Sequence, residues 1–403
     1  MPQGSKSSDG GRRRFGPAKW QMSAGTGFRT TEGRLPHQHD NIRVVDLFGP
    51  FDGAAVRVGN TQKRQGRVMK RSITILAALA ALTLPAAAGT LDDVRARGTL
   101  SCGANGQLPG FGLPDAQGNW TGFDVDYCRA YAATIFNDPS KVKFVALTAK
   151  DRFTALQSGD VDVLARNTTW SSSRETQLAL HATGPNYYDG QGFIVRKVLK
   201  VNSALELSDA SVCVQQGTTT ELNLADYFRA NRMKLKSVTF AQLDEALKAY
   251  DSGRCDAFTT DASGLYGVRL KLNHPDDNVV LPEIISKEPL SPFVRQGDDQ
   301  WFNIVRWVHF VMLNAEELNI SRSNVDEQLK SDNPEIKRLL GTEQNYGEQF
   351  GLTKDWAYRV IKLVGNYAEV FDRNLGQGSP LRISRGLNAL WTKGGIQYGP
   401  PVR

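Results

Sequence analysis

An α/β fold of two similar units facing one cleft, followed by a helical C-terminal extension, is what the sequence predicts. Three observations predict it. Stretches of strand and helix character alternate from about residue 97 to residue 261. Two of these stretches end alike: QSGDVDVLARN (157–167) and DSGRCDAFTTD (251–261) each pass from helix through Ser-Gly to an apolar strand and then to polar residues. From Trp301 onward the pattern is helical. Ligands of open α/β sheets bind beyond the carboxyl ends of the strands, so the two polar clusters mark two lobes that share one cleft.

The elements follow in order. RGTLSCGAN (97–105) reads as a first strand, and TGFDVDYCRAYAATIF (121–136) as a turn leading into a helix with Val125, Cys128, Ala132 and Ile135 on one face. VKFVAL (142–147) alternates as a strand does. DRFTALQSG (151–159) is a short helix with Gly159 as its C-cap, and VDVLAR (161–166) is the next strand. The second unit repeats the plan: strand SVCVQQG (211–217), helix TTTELNLADYFRAN (218–231), strand KSVTF (236–240), helix AQLDEALKAYDSG (241–253) ended by Gly253, and strand RCDAFTTD (254–261). This order predicts parallel sheets. In WFNIVRWVHFVMLNAEEL (301–318), Ile304, Val308 and Val311 or Met312 fall at core spacing, a packing stripe rather than a cofactor box.

The 403 residues carry a formal net charge of +7, but the charge is unevenly placed. Residues 1–71 hold 14 Lys/Arg against 5 Asp/Glu, leaving 35 basic and 37 acidic residues to the remainder. The body therefore lacks a polybasic footprint, and a nucleic-acid partner is excluded. VMKRSITILAALAALTLPAAAGTLDDV explains the front. Lys70 and Arg71 precede an apolar run from Ser72 to Leu84, and Ala86 to Ala88 supply small residues for cleavage. The run is shorter than the roughly 20 residues of a membrane span. A signal peptide over 69–88 is expected, beginning near Met69 and cleaved near Ala88 or Gly89, with 1–68 a mis-called or disordered upstream extension. A basic tail on an internal membrane anchor is the alternative.

Export suits the four cysteines, Cys102, Cys128, Cys213 and Cys255. No CxxC pair occurs, so neither a metal nor a cofactor is expected. Of three possible pairings, Cys102–Cys128 with Cys213–Cys255 keeps each bridge within one half of the protein; burial as free thiols is the alternative.

The densest polar stretch is ARNTTWSSSRE (165–175), directly after the strand VDVL. Ser171 to Ser173 followed by Glu175 suit a helix N-terminus. The same hydroxyls, with Arg174, also suit an anion site for a small carboxylate.

GNWTGFDVDYC, KDRFTALQSGDVDVL, NTTWSSSRE, VCVQQGTTTELN and GRCDAFTTDASGLYG, taken with LPEIISKEPLSP, RQGDDQWFNIVRW and MLNAEELNI, resemble the extracytoplasmic solute-binding proteins of polar amino-acid ABC transporters. The general L-amino-acid proteins of Gram-negative bacteria are the subgroup they resemble. The resemblance runs from about residue 90 to the C-terminus. It implies a two-lobed periplasmic-binding-protein-like fold (type II), two open sheets joined by two crossover strands. Residues 89–190 would form the first part of lobe 1, 191–288 lobe 2, and 289–403 the rest of lobe 1 with the helical extension. It further implies a monomeric periplasmic protein that captures a free L-amino acid and delivers it to an inner-membrane ABC permease, with hinges near 187–194 and 284–292.

By the same resemblance, Asn167, Thr168, Thr169 and Arg174 take the places of the lobe 1 residues that meet the ligand α-carboxylate. Gly217, Thr218, Thr219 and Thr220 match the lobe 2 motif for that carboxylate, and Asp261 takes the place of the residue that holds the α-ammonium. Elementary chemistry agrees. The planar fork of Arg matches two carboxylate oxygens, and Asp meets an ammonium on a short stem. Asp261 as a helix cap, Thr218 to Thr220 as caps only, and Trp170 as surface packing rather than pocket wall are the structural alternatives. In GQLPGFGLP, Leu108 stands where narrower relatives carry an aromatic over the ligand side chain, which leaves that pocket less defined. Arg166 either favours acidic side chains or is a rim charge. An exported dehydratase of the same fold is the rival function; it would need a poised His or Glu in the cleft, and none of His181, His274 and His309 lies in a motif placed there.

Overall fold

The computed structural model describes residues 89–403; the expected signal peptide at 69–88 and the segment before it lie outside the described residues. Lobe 1 opens with β1 (Leu100–Ala104), a small hairpin of β2 (Leu113–Pro114) and β3 (Trp120–Thr121), then β4 (Val142–Ala146), β5 (Val163–Leu164) and β6 (Leu180–Ala182). The chain crosses through β7 (Tyr187–Asp189) into β8 (Gln191–Arg196), β9 (Ser211–Gln215), β10 (Lys236–Phe240), β11 (Ala257–Asp261) and β12 (Asn278–Val280). It returns through β13 (Glu288–Leu290) to β14 (Phe293–Arg295). One five-stranded sheet has the order β4-β1-β5-β14-β6 and the other β10-β9-β11-β8-β12.

The expected parallel sheets are in fact mixed. β1, β4 and β5 run parallel, as do β9, β10 and β11, but β14 opposes β5 and β6, and β8 opposes β11 and β12. The crossings explain the reversal. A strand arriving from the other lobe enters its sheet at the cleft edge, where the parallel strands end, and must run the opposite way. Gln191, the first residue of β8, accordingly pairs with Asp261, the last of β11, and Phe293 pairs with Leu164.

Burial follows the sequence pattern. All five residues of β1 are buried, as a strand covered on both faces requires. Gly103 is needed there, because a Cβ would lie 2.7 Å from Leu147 Cδ1. Gly159 and Gly253 close their helices with φ of 85° and 83°. Ile304, Val308, Val311 and Met312 are all fully buried on the helix Asp299–Glu317. That helix packs with Phe123–Phe136, Trp356–Leu363 and Tyr367–Asn374 on lobe 1. Phe193, Val212, Val214, Leu224 and Phe228 fill lobe 2. Both expected disulfides are formed, Cys102–Cys128 tying β1 to the helix behind it and Cys213–Cys255 tying β9 to the segment before β11. Among the described residues no helix is long and apolar enough to cross a membrane.

Between the lobes, β7 and β13 pair antiparallel, with Tyr187 opposite Leu290, Tyr188 opposite Pro289 and Asp189 opposite Glu288. This two-stranded ladder is the crossover that joins the lobes.

Candidate ligand-binding cleft

Lobe 1 contributes three arginines. Ser171 caps the helix Ser172–Gln177, its Oγ accepting from Arg174 N–H at 3.4 Å, so the serines do serve as a cap. That cap fixes Arg174 in the first turn, where it is 7 % exposed. Its Nη1 donates to Thr169 C=O at 2.7 Å, and the guanidinium carbon lies 5.1 Å from the centre of the Phe153 ring. Arg152, the first residue of Arg152–Ser158, stacks on the same ring at 4.8 Å. Its Nη1 reaches Thr168 Oγ1 at 3.3 Å, while its buried Nε finds no partner. Arg166 is buried too, with Nε donating to Leu147 C=O at 2.9 Å, so it is not a rim charge.

Lobe 2 brings Thr219 and Asp261. Gly217 turns the chain with φ of 76°, and Thr218 caps the helix Thr219–Ala230 by accepting from Glu221 N–H. Thr219 Oγ1 then stands 3.2 Å from Thr169 Oγ1 across the cleft, and both hydroxyls donate to the fully buried carboxylate of Glu288. Asp261 ends β11 at the N-cap position of Ala262–Arg269, yet its side chain makes no capping bond. Instead Oδ2 accepts from Asn167 Nδ2 at 3.3 Å, lobe to lobe. Thr168, Thr218 and Thr220 sit behind this contact. Thr168 Oγ1 donates to Arg166 C=O, Thr218 Oγ1 donates to Gln215 C=O, and Thr220 lies 2.7 Å from Thr218 Oγ1.

The charges in this buried centre are held apart. Arg152, Arg166 and Arg174 make no ion pair within 4.0 Å among the described residues. Desolvation lowers Arg166 and Arg174 to about 10 and pushes Arg152 well below its usual value. The carboxylates move the other way. Burial lifts Asp124 to about 7 and Asp189 to about 6, and it raises Asp261 well above the carboxylate range, with the charges of Asp189 and Glu288 adding to the rise. The opposed shifts have one chief cause, the burial of both kinds of charge in a single cleft.

The lobes are closed on each other. Gln107 Nε2 donates to Gln242 Oε1 at 3.2 Å, and Gln107 Oε1 accepts from Leu243 N–H at 3.1 Å. Leu108 is 3 % exposed, and its Cδ1 lies 3.6 Å from where a Cβ on Gly267 would stand. That same Cβ would come within 2.6 Å of Pro109 C=O, so only glycine lets this helix approach so closely. Trp170 lies outside the centre, 39 % exposed, with Nε1 donating to Glu175.

The family model described as bacterial extracellular solute-binding proteins, family 3, matches residues 100–320. The chain belongs to this family. As a solute-binding protein it is an extracytoplasmic, non-catalytic component of a transporter. It is 60 % identical over 329 residues to the general L-amino acid-binding periplasmic protein AapJ of Rhizobium johnstonii, covering 81 % of this chain and 96 % of that one. It is 54 % identical over 328 residues to the glutamate/glutamine/aspartate/asparagine-binding protein BztA of Rhodobacter capsulatus, covering 81 % and 97 %. Among solved structures it is similar to an ABC transporter periplasmic binding protein of Brucella ovis with glutathione bound, at 63 % identity and a TM-score of 0.77, covering 78 % of this chain and all of that one.

Among the described residues, the three histidines of this solute-binding protein lie away from the centre. His309 Nδ1 is 2.7 Å from Tyr127 Oη in the lobe 1 core, where burial lowers it to about 4. His181 faces Glu175 and Phe302, and His274 precedes a short 3-10 turn. Sequence reasoning missed Arg152, Asp124 and Glu288. Arg152 stood in a stretch read only as a short helix, and Glu288 in a crossover read only as a hinge. An arginine at the opening of a helix in the first of two repeated units is the signal that was there to use.

Proposed function

We propose that this protein captures free L-amino acids in the periplasm and delivers them, as a monomer, to an inner-membrane ABC permease. The observation that carries the reading is the set of three buried arginines in lobe 1, without ion-pair partners among the described residues, facing the buried Asp261 of lobe 2. A zwitterion supplies what both sides lack. Arg174 takes the α-carboxylate, with the N–H groups that open the helix after Gly217 completing its shell, and Thr169 and Thr219 join them as their hydroxyls turn from Glu288 to the ligand. Asp261 and Asn167 take the α-ammonium. Because the two ends contact different lobes, ligand affinity for the closed form exceeds that for the open form, and this difference drives closure at β7 and β13.

Arg152 and Arg166 remain to meet the ligand side chain, which favours carboxylate and amide side chains without a narrow steric selection at Leu108. The names of AapJ and BztA agree with this breadth. Glutathione, bound in the Brucella ovis relative, keeps a free α-amino-acid head on its glutamyl residue, so the same clamp suits it. The experiment is a thermal-shift panel of the twenty amino acids and glutathione on protein beginning at Gly89, followed by calorimetry on the strongest responders. Stabilisation by several L-amino acids, acidic and amide ones foremost, is expected. A response to none of them, or turnover of prephenate or arogenate, would overturn the reading.

A further inference from the structure

The hinge ladder has two outer edges, and both are occupied. Tyr188 and Pro289 form a non-hydrogen-bonded pair of the antiparallel ladder, so the Tyr188 N–H and C=O point away from β13. There the side chain of Asn388 receives both. Its Oδ1 accepts from Tyr188 N–H at 2.7 Å, and its Nδ2 donates to Tyr188 C=O at 3.0 Å. One amide thus stands in for a third strand. On the far edge Trp170 N–H donates to Pro289 C=O at 2.8 Å, and Thr169 bridges to Leu290. The order is therefore Asn388, β7, β13 and then the segment that carries Thr169.

Asn388 is 200 residues from Tyr188 and belongs to the extension beyond residue 320, where the family match ends. It is 4 % exposed and firmly seated. Arg385 Nε holds its C=O at 2.9 Å, Arg385 Nη2 donates to Glu316, and the Arg385 guanidinium stacks over Tyr367 and Phe371 at 4.9 and 5.0 Å. Tyr367 Oη and Gln397 Nε2 both donate to Asn186 C=O, two residues before Tyr188. The extension anchors itself to lobe 1 and grips the hinge strand at one backbone unit.

We propose that Asn388 is a positioning residue for ligand binding: by pinning Tyr188 it fixes the path of the first crossover in the closed form, and so sets the balance between closed and open lobes. It touches no ligand. This inference rests on closure around an amino acid, as proposed above, and concerns only how the closed form is favoured.

The test compares Asn388→Ala with the parent protein by calorimetry against L-glutamate, L-glutamine and L-leucine, together with small-angle scattering without ligand. Removing two backbone-directed hydrogen bonds from the closed form is expected to weaken every ligand that binds by a similar factor, roughly tenfold, and to enlarge the unliganded particle. The isosteric Asn388→Asp keeps the acceptor for Tyr188 N–H and loses the donor for its C=O. Its side chain has the same shape, and it is expected to fold as the parent does and to move both readouts the same way. Unchanged affinity and scattering with only a lower melting temperature would make Asn388 a mere fastener of the extension and overturn the inference. So would a loss confined to one ligand, since that is the mark of a pocket residue. A parent protein that binds none of the three would instead refute the amino-acid reading, and the scattering arm would still decide the role of Asn388.

Discussion

Replacing Arg174 by Met separates binding from folding, because the two are expected to respond differently. In the closed protein the guanidinium is almost fully buried, has no carboxylate partner within 4.0 Å among the described residues and donates one hydrogen bond, to Thr169 C=O. Met fills much the same volume and rests on Phe153 as the guanidinium does. Losing the hydrogen bond costs about 1–2 kcal/mol. Removing an unpaired buried charge returns a comparable amount, since replacing buried ionic groups by apolar side chains is often neutral or stabilising. Unliganded stability is therefore expected to stay within about 1–2 kcal/mol of the parent. Binding has no such offset. Two charge-assisted bonds to the ligand carboxylate, at about 1.5–3 kcal/mol each, give a loss on the order of 3–5 kcal/mol. That corresponds to roughly a hundredfold to several-thousandfold in Kd. Calorimetry reads the affinity and urea unfolding the stability. An affinity within threefold of the parent refutes the clamp. A stability loss of several kcal/mol would instead mean that Arg174 is chiefly a structural residue.

Three other predictions follow from the same geometry. Gly267→Ala places a methyl group within 2.6 Å of Pro109 C=O in the closed form only; it should lower affinity roughly tenfold to a hundredfold without lowering the melting temperature of unliganded protein, and unchanged affinity would show that these lobes never meet so closely. The pH dependence of stability has a definite sign. Asp189 and Asp124 have folded values of about 6 and about 7, above the ordinary 3.8, and Asp261 is raised as well. Their contribution is complete below that ordinary value and is lost as pH rises through 6 and 7. The melting temperature of unliganded protein should thus fall from pH 5 to pH 8, and the shift given by a saturating amino acid should grow over the same interval; a rising melting temperature would contradict this. Finally, Cys213→Ala with Cys255→Ala opens a loop with a sequence separation of 42. The chain-entropy relation gives a loss of about 3–4 kcal/mol, to be read by urea unfolding, with ligand affinity little changed.

What the sequence disclosed is what short-range chemistry decides. Gly159 and Gly253 ended their helices, Ser171 and Thr218 capped theirs, and the cysteine pairing followed from keeping each bridge in one half. The strands β6, β7, β12, β13 and β14 have three residues each, too few to carry a periodicity, which hid the reversal at β14; β8 is six residues long, but it begins inside a segment read only as a crossover, which hid the reversal in lobe 2. Charge burial was hidden for a different reason. Glu288 meets Thr169 from 119 residues away and Asn223 from 65. Arg152 is buried with its guanidinium stacked on Phe153 and bonded to Thr168, 16 residues further along the chain. A charged residue in a local window looks like a solvated one until the lobes are placed.

That placement also explains why a cleft with three cations and four carboxylates does not neutralise itself. Each charge is engaged by a neutral group instead. Glu288 accepts from the hydroxyls of Thr169, Thr219 and Ser286 and from the amide of Asn223. Asp124 accepts from Asn167 N–H, Asp189 from Ser263 and Gly190, and Asp261 from the Asn167 amide. Arg166 and Arg174 donate to backbone carbonyls. Hydroxyls, amides and peptide groups thus act as spacers that fix the orientation of every charge while leaving its electrostatic demand unmet. Had Arg174 paired with Glu288 or Asp261, a ligand would first have to break a buried ion pair, losing several kcal/mol before gaining any contact. On the function proposed above, the same groups, kept apart, would meet an incoming zwitterion already aimed, and the energy of pairing would go into closing the lobes.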